Sequence, residues 1–231
     1  MSKIKYHFTD TEIKKLVDKH LTVIYDTREQ VNSHVLEYFK LKGIPFKRQK
    51  INEGDYTGII KAVPEMGITR DLYFPIGIER KNSIEELAGN LAEKTDTRDD
   101  IRLERELMRA KSKGIDIYLV VEDPNGFDKI REGKYNSMYS VKAFLGKLSS
   151  LQTNYLKGTV WCGKKDTGYH IHRLLYYAIR NYLKESCLEE DLKPNCFKPN
   201  NDAYPLCIGD GGAACQNCDL YEDMKNEGGY E

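Results

Sequence analysis

The chain has 231 residues, of which 40% are hydrophobic and 31% are charged, and its formal net charge is zero. This composition is typical of a soluble globular protein and excludes a membrane-spanning one, because no run approaches the ~18 apolar residues of a membrane helix. The N-terminus has no apolar signal-peptide core, so we expect a cytoplasmic protein whose six cysteines are thiols or metal ligands rather than disulfides.

Strand and helix patterns alternate along roughly the first 185 residues. Capping boxes at Thr9–Glu12 and Ser83–Glu86 predict two helix starts, and β-branched apolar runs bounded by turn residues predict strands. Pro75 favours an edge position or a bulge for its strand. Predicted strands lie at 21–26, 44–60 (two strands around Gly54), 71–81, 115–123 and 158–162, and predicted helices at 9–20, 32–43, from 83, 99–113, 137–155 and 169–183. This alternation predicts an α/β fold.

The composition changes after about residue 185, where Asn, Pro, Gly, Asp and Cys become frequent. Residues 186–231 hold three Lys, no Arg and ten Asp or Glu, a net charge of −7, so residues 1–185 carry +7. We therefore expect an N-terminal helix at 1–20, a basic α/β domain at 21–185 and an acidic tail at 186–231.

The segment IGIERK places three adjacent charges at the end of an apolar strand. Because side chains alternate along a strand, Glu79 and Lys81 share one face and Arg80 lies on the other. A carboxylate beside an ammonium suits metal-assisted phosphodiester cleavage, which requires further carboxylates, and Asp55 and Asp26 lie at neighbouring strand ends. The alternative is an ordinary surface ion pair.

The motifs YDTRE, GDY and IERK, at residues 25–29, 54–56 and 78–81, occur in this order along the chain. The set resembles the nuclease domain of the XPF/Mus-type structure-specific endonucleases, a branch of the PD-(D/E)XK superfamily, over roughly residues 20–185. The resemblance implies a restriction-endonuclease-like mixed central sheet flanked by helices. It also implies DNA as the partner, with a homodimer or heterodimer formed through the nuclease domain.

The resemblance further implies the catalytic residues Asp26, Asp55, Glu79, Arg80 and Lys81. Asp55 and Glu79, supported by Asp26, would coordinate Mg²⁺ or Mn²⁺, and Lys81 would be the base or a charge stabiliser. Arg80 would be a structural or phosphate-contacting residue. Other residues expected near the cleft are Arg28, as a DNA contact, and Glu29.

The chain departs from this family in two respects. The family places an Asp four residues after the Lys, where this sequence has Glu85, which suits the dipole of the following helix as well as a ligand role. The nuclear enzymes also carry tandem helix-hairpin-helix modules, and no such module is found here. The preferred DNA structure therefore does not follow from the resemblance.

A basic stripe is predicted on the helix at 99–113. At 100° per residue its cations fall within about 60° of one another, opposite Leu103, Leu107 and Ala110, which we expect to be buried. A phosphate backbone is the natural partner, the alternative being a solvated charged face. The stripe consists of Arg98, Arg102, Arg105, Arg109 and Lys113, and Lys47, Arg48 and Lys50 would extend it.

The tail contains four cysteines in a segment poor in apolar residues, which cannot form a core. A tetrahedral structural Zn²⁺ would supply the folding energy of a small irregular Cys-rich knuckle. An iron–sulfur cluster and unligated thiols are the alternatives. The expected ligands are Cys196, Cys207, Cys215 and Cys218.

The sequence as a whole predicts a metal-dependent DNA endonuclease acting at branched or structured DNA in replication, recombination or repair. The absence of a helix-hairpin-helix module favours a phage or bacterial protein. Two alternatives stay open: a non-catalytic DNA-binding subunit on the same fold, and an interaction protein that acts through its cysteine knuckle.

Overall fold

The computed structural model describes residues 8–92, 102–137 and 139–192. Within these ranges the chain forms seven α-helices, a short 3-10 helix at Pro64–Met66 and seven β-strands. The helices are α1 (Asp10–His20), α2 (Ser33–Leu41), α3 (Ile84–Ala92), α4 (Arg102–Ser112), α5 (Gly126–Glu132), α6 (Val141–Asn154) and α7 (Thr167–Leu192). The strands are β1 (Leu21–Tyr25), β2 (Phe46–Arg48), β3 (Tyr56–Ile60), β4 (Leu72–Tyr73), β5 (Ile76–Lys81), β6 (Asp116–Val121) and β7 (Leu156–Trp161).

The strands form one mixed sheet in the order β2-β1-β3-β5-β6-β7, with β4 paired to β3. β3 is antiparallel to β1 and β5. The pairs β1–β2, β5–β6 and β6–β7 are parallel. The sheet therefore has one end at which five strands, β1, β2, β5, β6 and β7, finish and β3 begins. We call it the carboxyl end of the sheet. Polar residues that follow or precede these strands are brought together there.

Helices cover both faces of the sheet. On one face, α1, α2 and α7 pack their apolar sides on residues such as Ile78 and Val120. On the other face, α3, α4, α5 and α6 pack on residues such as Leu119 and Val121. Adjacent residues of one strand thus enter different cores, as the twofold period of a strand requires. The predicted α/β architecture, a mixed central sheet flanked by helices, is confirmed.

The predicted elements correspond closely to the observed ones, with differences at their ends. Pro75 separates β4 from β5, so the predicted strand 71–81 is two strands, and β5 is central rather than at an edge. α5 was not predicted because it has only seven residues, and buried Ile130 anchors it by tertiary packing. Predicted helix 137–155 begins later, at Val141, after the Ser140 cap.

α7 continues to Leu192, beyond the expected domain boundary near residue 185. The four cysteines of the predicted zinc knuckle lie outside the described residues, as does Arg98. Among the helices that the structure describes, none combines the length and the apolar character that crossing a membrane requires.

Candidate active site

Three chain segments bring Asp26, Asp55, Glu79 and Lys81 to the carboxyl end of the sheet. Asp26 directly follows β1, Asp55 directly precedes β3, and Glu79 and Lys81 lie in the last three residues of β5. Backbone hydrogen bonds join the segments: Asp26 N–H donates to the Asp55 carbonyl at 2.8 Å, and Asp55 N–H donates to the Ile78 carbonyl at 2.8 Å. Backbone hydrogen bonds of the sheet therefore fix the positions of Asp55 and Glu79 relative to each other.

Asp55 and Glu79 are two close carboxylates in a largely buried setting. Burial raises the pKa of Asp55 well above its usual value, and the negative charge of Glu79 raises it further. Burial also raises the pKa of Glu79, which is only 8% exposed, although the Lys81 ammonium opposes this shift. Asp55 Oδ2 accepts the Arg80 backbone N–H at 2.8 Å. A bound cation would relieve the cost of keeping both groups ionised.

Lys81 lies beside Glu79 on the same face of β5, as strand alternation predicts. Its Nζ donates to Glu79 Oε1 at 2.8 Å and lies 3.8 Å from Glu86 Oε1. Burial lowers the pKa of Lys81, but the nearby carboxylates of Glu79, Asp55 and Glu86 together outweigh it, so the net pKa is above the usual value. Glu85 is exposed in the first turn of α3, where its charge suits the helix dipole.

The Asp26 carboxylate is engaged by protein donors on both oxygens. Oδ1 accepts the Arg28 backbone N–H at 2.8 Å and Arg28 Nε at 2.6 Å, and Oδ2 accepts the Ile51 backbone N–H at 2.6 Å. Burial raises the pKa of Asp26, but the hydrogen bonds from Arg28 and Ile51 outweigh it and lower the net pKa. Asp26 therefore fixes the loop that leads to Asp55, a geometry that favours positioning over direct metal coordination.

Arg80 faces the opposite side of the sheet, in a buried ionic network. Its guanidinium donates Nε and Nη2 to Glu29 Oε1 at 3.1 and 2.5 Å, Nη1 to Glu122 Oε1 at 2.8 Å, and Nη2 to the Val31 carbonyl at 3.0 Å. His34 Nε2 lies 2.6 Å from the same Glu122 oxygen. The Arg80 guanidinium thus makes four hydrogen bonds within the protein. This favours a structural role of Arg80 over phosphate contact.

The predicted phase of helix α4 is confirmed for its apolar side. Leu103, Leu107 and Ala110 are all buried against the sheet. Arg105 is only partly exposed, and its buried Nε has no hydrogen-bond partner in the structure. α4 therefore packs on the core as expected, with its charged residues toward the outside.

Three of the four described cations of the predicted stripe are paired with carboxylates, which the sequence did not indicate. Arg102 pairs with Glu106 at 3.4 Å, one helical turn away. Arg109 and Lys113 both contact Glu53 Oε1, at 3.5 and 2.9 Å, and the Glu53 side chain is buried. Because Glu53 lies two residues before Asp55, these pairs tie the end of α4 and the residue after it to the active-site loop and leave less charge for DNA.

Sequence reasoning missed Glu53, Glu122 and His34. Glu122 had a recognisable signal, since it follows β6 at the carboxyl edge of a parallel strand pair, where functional side chains gather. Glu53 and His34 had no such signal, because Glu53 pairs with Lys113, 60 residues away and just after α4, and His34 contacts Glu122 only through tertiary packing.

A cation fits the site through two carboxylates rather than three. Within the described ranges, no group of three or more His, Cys, Asp or Glu residues is arranged to hold a metal ion. Asp55 and Glu79 remain suitable, because neither Asp55 Oδ1 nor Glu79 Oε2 accepts a hydrogen bond from a described residue. Mg²⁺ is commonly held by one or two carboxylates, with water and substrate oxygens completing its shell. This donor set therefore matches Mg²⁺ or Mn²⁺.

Comparisons with known proteins identify the family of the chain. No curated protein sequence matches the chain. Among solved structures, XPF from Aeropyrum pernix is similar, with 20% identity, a TM-score of 0.48 and coverage of 69% of each chain, a likeness too remote to carry a functional conclusion. The ERCC4 domain matches residues 25–174, a segment that includes all three motifs and most of the sheet. The chain therefore belongs to the ERCC4 domain family.

Proposed function

We propose that the protein is a divalent-metal-dependent DNA endonuclease that cuts branched or otherwise structured DNA. Membership in the ERCC4 domain family supports a nuclease-type function on structured DNA. The observation that carries the finer proposal is the grouping of Asp55, Glu79 and Lys81 at the carboxyl end of the sheet. Lys81 Nζ donates to Glu79 Oε1 at 2.8 Å. An ordinary surface ion pair would not be buried beside a second carboxylate.

Asp55 and Glu79 would hold the divalent ion, Mg²⁺ or Mn²⁺. When bound, such an ion polarises the phosphodiester and lowers the pKa of an attacking water. The Lys81 ammonium lies beside the carboxylates, where it stabilises negative charge that develops on the phosphate in the transition state. The Arg80 backbone N–H keeps Asp55 oriented toward this group, at 2.8 Å.

Other predicted residues would support the site or the DNA. Asp26 fixes the loop before Asp55 through Ile51, and Arg28, whose side chain is 68% exposed, presents positive charge at the rim. In the proposal, Arg98 and Arg105 contribute phosphate contacts. Arg102, Arg109 and Lys113 contribute less, because Glu106 and Glu53 neutralise them.

The test is cleavage of duplex, single-stranded, flap, fork and Holliday-junction DNA with Mg²⁺ or Mn²⁺. Asp55→Ala and Lys81→Ala should each lower the cleavage rate by about 100-fold or more, the scale expected for loss of a charge-stabilising group. DNA binding by Asp55→Ala should be unchanged or tighter, because a negative charge is removed.

Asp71→Asn is the matched control, because the Asp71 carboxylate pairs with Lys61 at the opposite end of β3 from Asp55. It should cut at the wild-type rate. Cleavage that survives both Asp55→Ala and Lys81→Ala would overturn the assignment of the site. Binding without cleavage of any substrate by the wild-type protein would favour the non-catalytic DNA-binding subunit instead.

Three further features belong to the proposal. The tail cysteines Cys196, Cys207, Cys215 and Cys218 would bind a structural Zn²⁺, which elemental analysis and chelation with a thiol assay test. An interaction role of the tail is tested by truncation at residue 186, which should leave cleavage intact if the nuclease site is the functional part. We also propose action in the cytoplasm of a bacterium or phage-infected cell, with pairing through the nuclease domain.

A further inference from the structure

Three cations that form no salt bridge with any described residue lie on and just after β2, the edge strand of the sheet. One of them, Lys47, acts electrostatically on the Asp71 carboxylate, whose pKa is lowered by the hydrogen bond from Lys61 and also by Lys47. Lys47, Arg48 and Lys50 are all exposed, and we call them the β2-edge cluster. Among the described residues none of the three forms a salt bridge; Arg48 Nη2 donates to the neutral Thr27 carbonyl at 2.5 Å. The cluster therefore presents its charges to solvent, unlike the cations of α4 that Glu53 and Glu106 neutralise.

The cluster lies at the same end of the sheet as the catalytic residues. β2 is parallel to β1, with Arg48 in register with Tyr25, the residue before Asp26. Lys50 immediately precedes Ile51, whose N–H is bound by the Asp26 carboxylate. The hydrogen bond from Arg48 to residue 27 fixes the cluster against the loop that carries the exposed Arg28.

The strand order gives the approximate distance between the cluster and the site. In the strand order β2-β1-β3-β5, the cluster is three strands away from Glu79 and Lys81. At a strand separation of about 4.8 Å, this is roughly 14 Å. Phosphates of one DNA strand rise about 3.4 Å per step, so a duplex crossing the edge advances about four steps over that distance. Arg28 lies between the two positions.

We propose that the β2-edge cluster binds the phosphate backbone of the DNA about four base pairs from the cleaved bond. The inference rests on the proposed nuclease function and extends it by naming the surface that holds the flanking duplex. Contacts to phosphates position DNA without reading its sequence, which suits an enzyme that recognises DNA structure. Arg48 keeps further guanidinium N–H donors available for phosphate oxygens while Thr27 orients it.

The test compares two double variants of the full chain. Lys47→Gln with Lys50→Gln removes two charges from the cluster. Lys40→Gln with Lys42→Gln removes two charges from exposed lysines at the end of α2, next to the start of β2 and away from the site. Affinity for a fluorescent duplex and a fork is measured in EDTA over a series of KCl concentrations, with circular dichroism to verify folding.

The cluster variant should bind more weakly. Its plot of log affinity against log salt should be less steep, with a slope less negative by about 1.8 if each lysine neutralises one phosphate. The control variant should retain the wild-type slope. Equal changes in the two variants, or no change in the cluster variant, would overturn the inference, as would absence of DNA binding by the wild-type protein. Because EDTA removes catalysis from the measurement, a wild-type chain that binds but never cuts would refute the proposed nuclease function alone.

Discussion

Replacement of Arg80 by Met should reveal how strongly the buried ionic network stabilises the fold. The Arg80 side chain is 4% exposed and that of Glu122 2% exposed. The substitution therefore leaves Glu122 buried with His34 as its one remaining ionic partner among the described residues, and Glu29 partly buried without the guanidinium. Removing one partner of a buried ion pair typically costs about 3–5 kcal/mol. Summing the separate hydrogen bonds of the guanidinium would exceed this range, but bonds that share one group are not additive.

The assay is urea unfolding followed by circular dichroism and by the fluorescence of Trp161, the single tryptophan of the chain. The free energy of unfolding should fall by about 3–5 kcal/mol in Arg80→Met. Adding Glu29→Gln and Glu122→Gln should recover about 2 kcal/mol or more, because no unpaired charge then stays buried. A cost below about 1 kcal/mol, the range of an exposed pair, would refute the structural assignment of Arg80.

Three further substitutions test the loop and the helix packing. Asp26→Asn should lower the free energy of unfolding at neutral pH. Because the folded-state pKa of Asp26 is depressed, its stabilising contribution is present above about pH 4 and is lost on acidification. The variant should therefore lose less stability than wild type when the pH is lowered below about 4. Gly126→Ala should cost about 1–3 kcal/mol, since its Cβ would lie 2.6 Å from Trp161 Cε3. Gly146→Ala, inside α6 with no atom within 4 Å of its Cβ, should instead stabilise by about 0.5–1 kcal/mol, and urea unfolding measures both.

Local patterns predicted the parts of the site that depend on short-range geometry. Strand alternation placed Glu79 and Lys81 on one face and Arg80 on the other, and the structure has this arrangement. Helical periodicity likewise predicted which side of α4 is buried. The capping box at Ser83 predicted the start of α3, where Glu86 N–H donates to Ser83 Oγ at 3.1 Å. Each of these follows from the repeat of a single element.

Contacts between distant segments were not accessible in the same way. The pairing of Glu53 with Arg109 and Lys113 changes the expected role of the α4 stripe, yet nothing near Glu53 in the chain indicates a partner. The protein donors that occupy Asp26 include the Ile51 N–H, 25 residues away. A side chain whose motif predicts a ligand role can thus also accept hydrogen bonds that no local pattern indicates.

The sequence by itself determined the α/β fold class, the strand that carries the site and the family to which the chain belongs. These depend on periodicity and on motifs, which are properties of contiguous residues. Only the tertiary structure decided which charges remain free, because pairing depends on the strand order and on how helices pack across the sheet. It paired Arg80 with Glu29 and Glu122, bound the Asp26 carboxylate to the Ile51 N–H, and left the β2-edge cluster exposed at the same end of the sheet as Asp55 and Glu79.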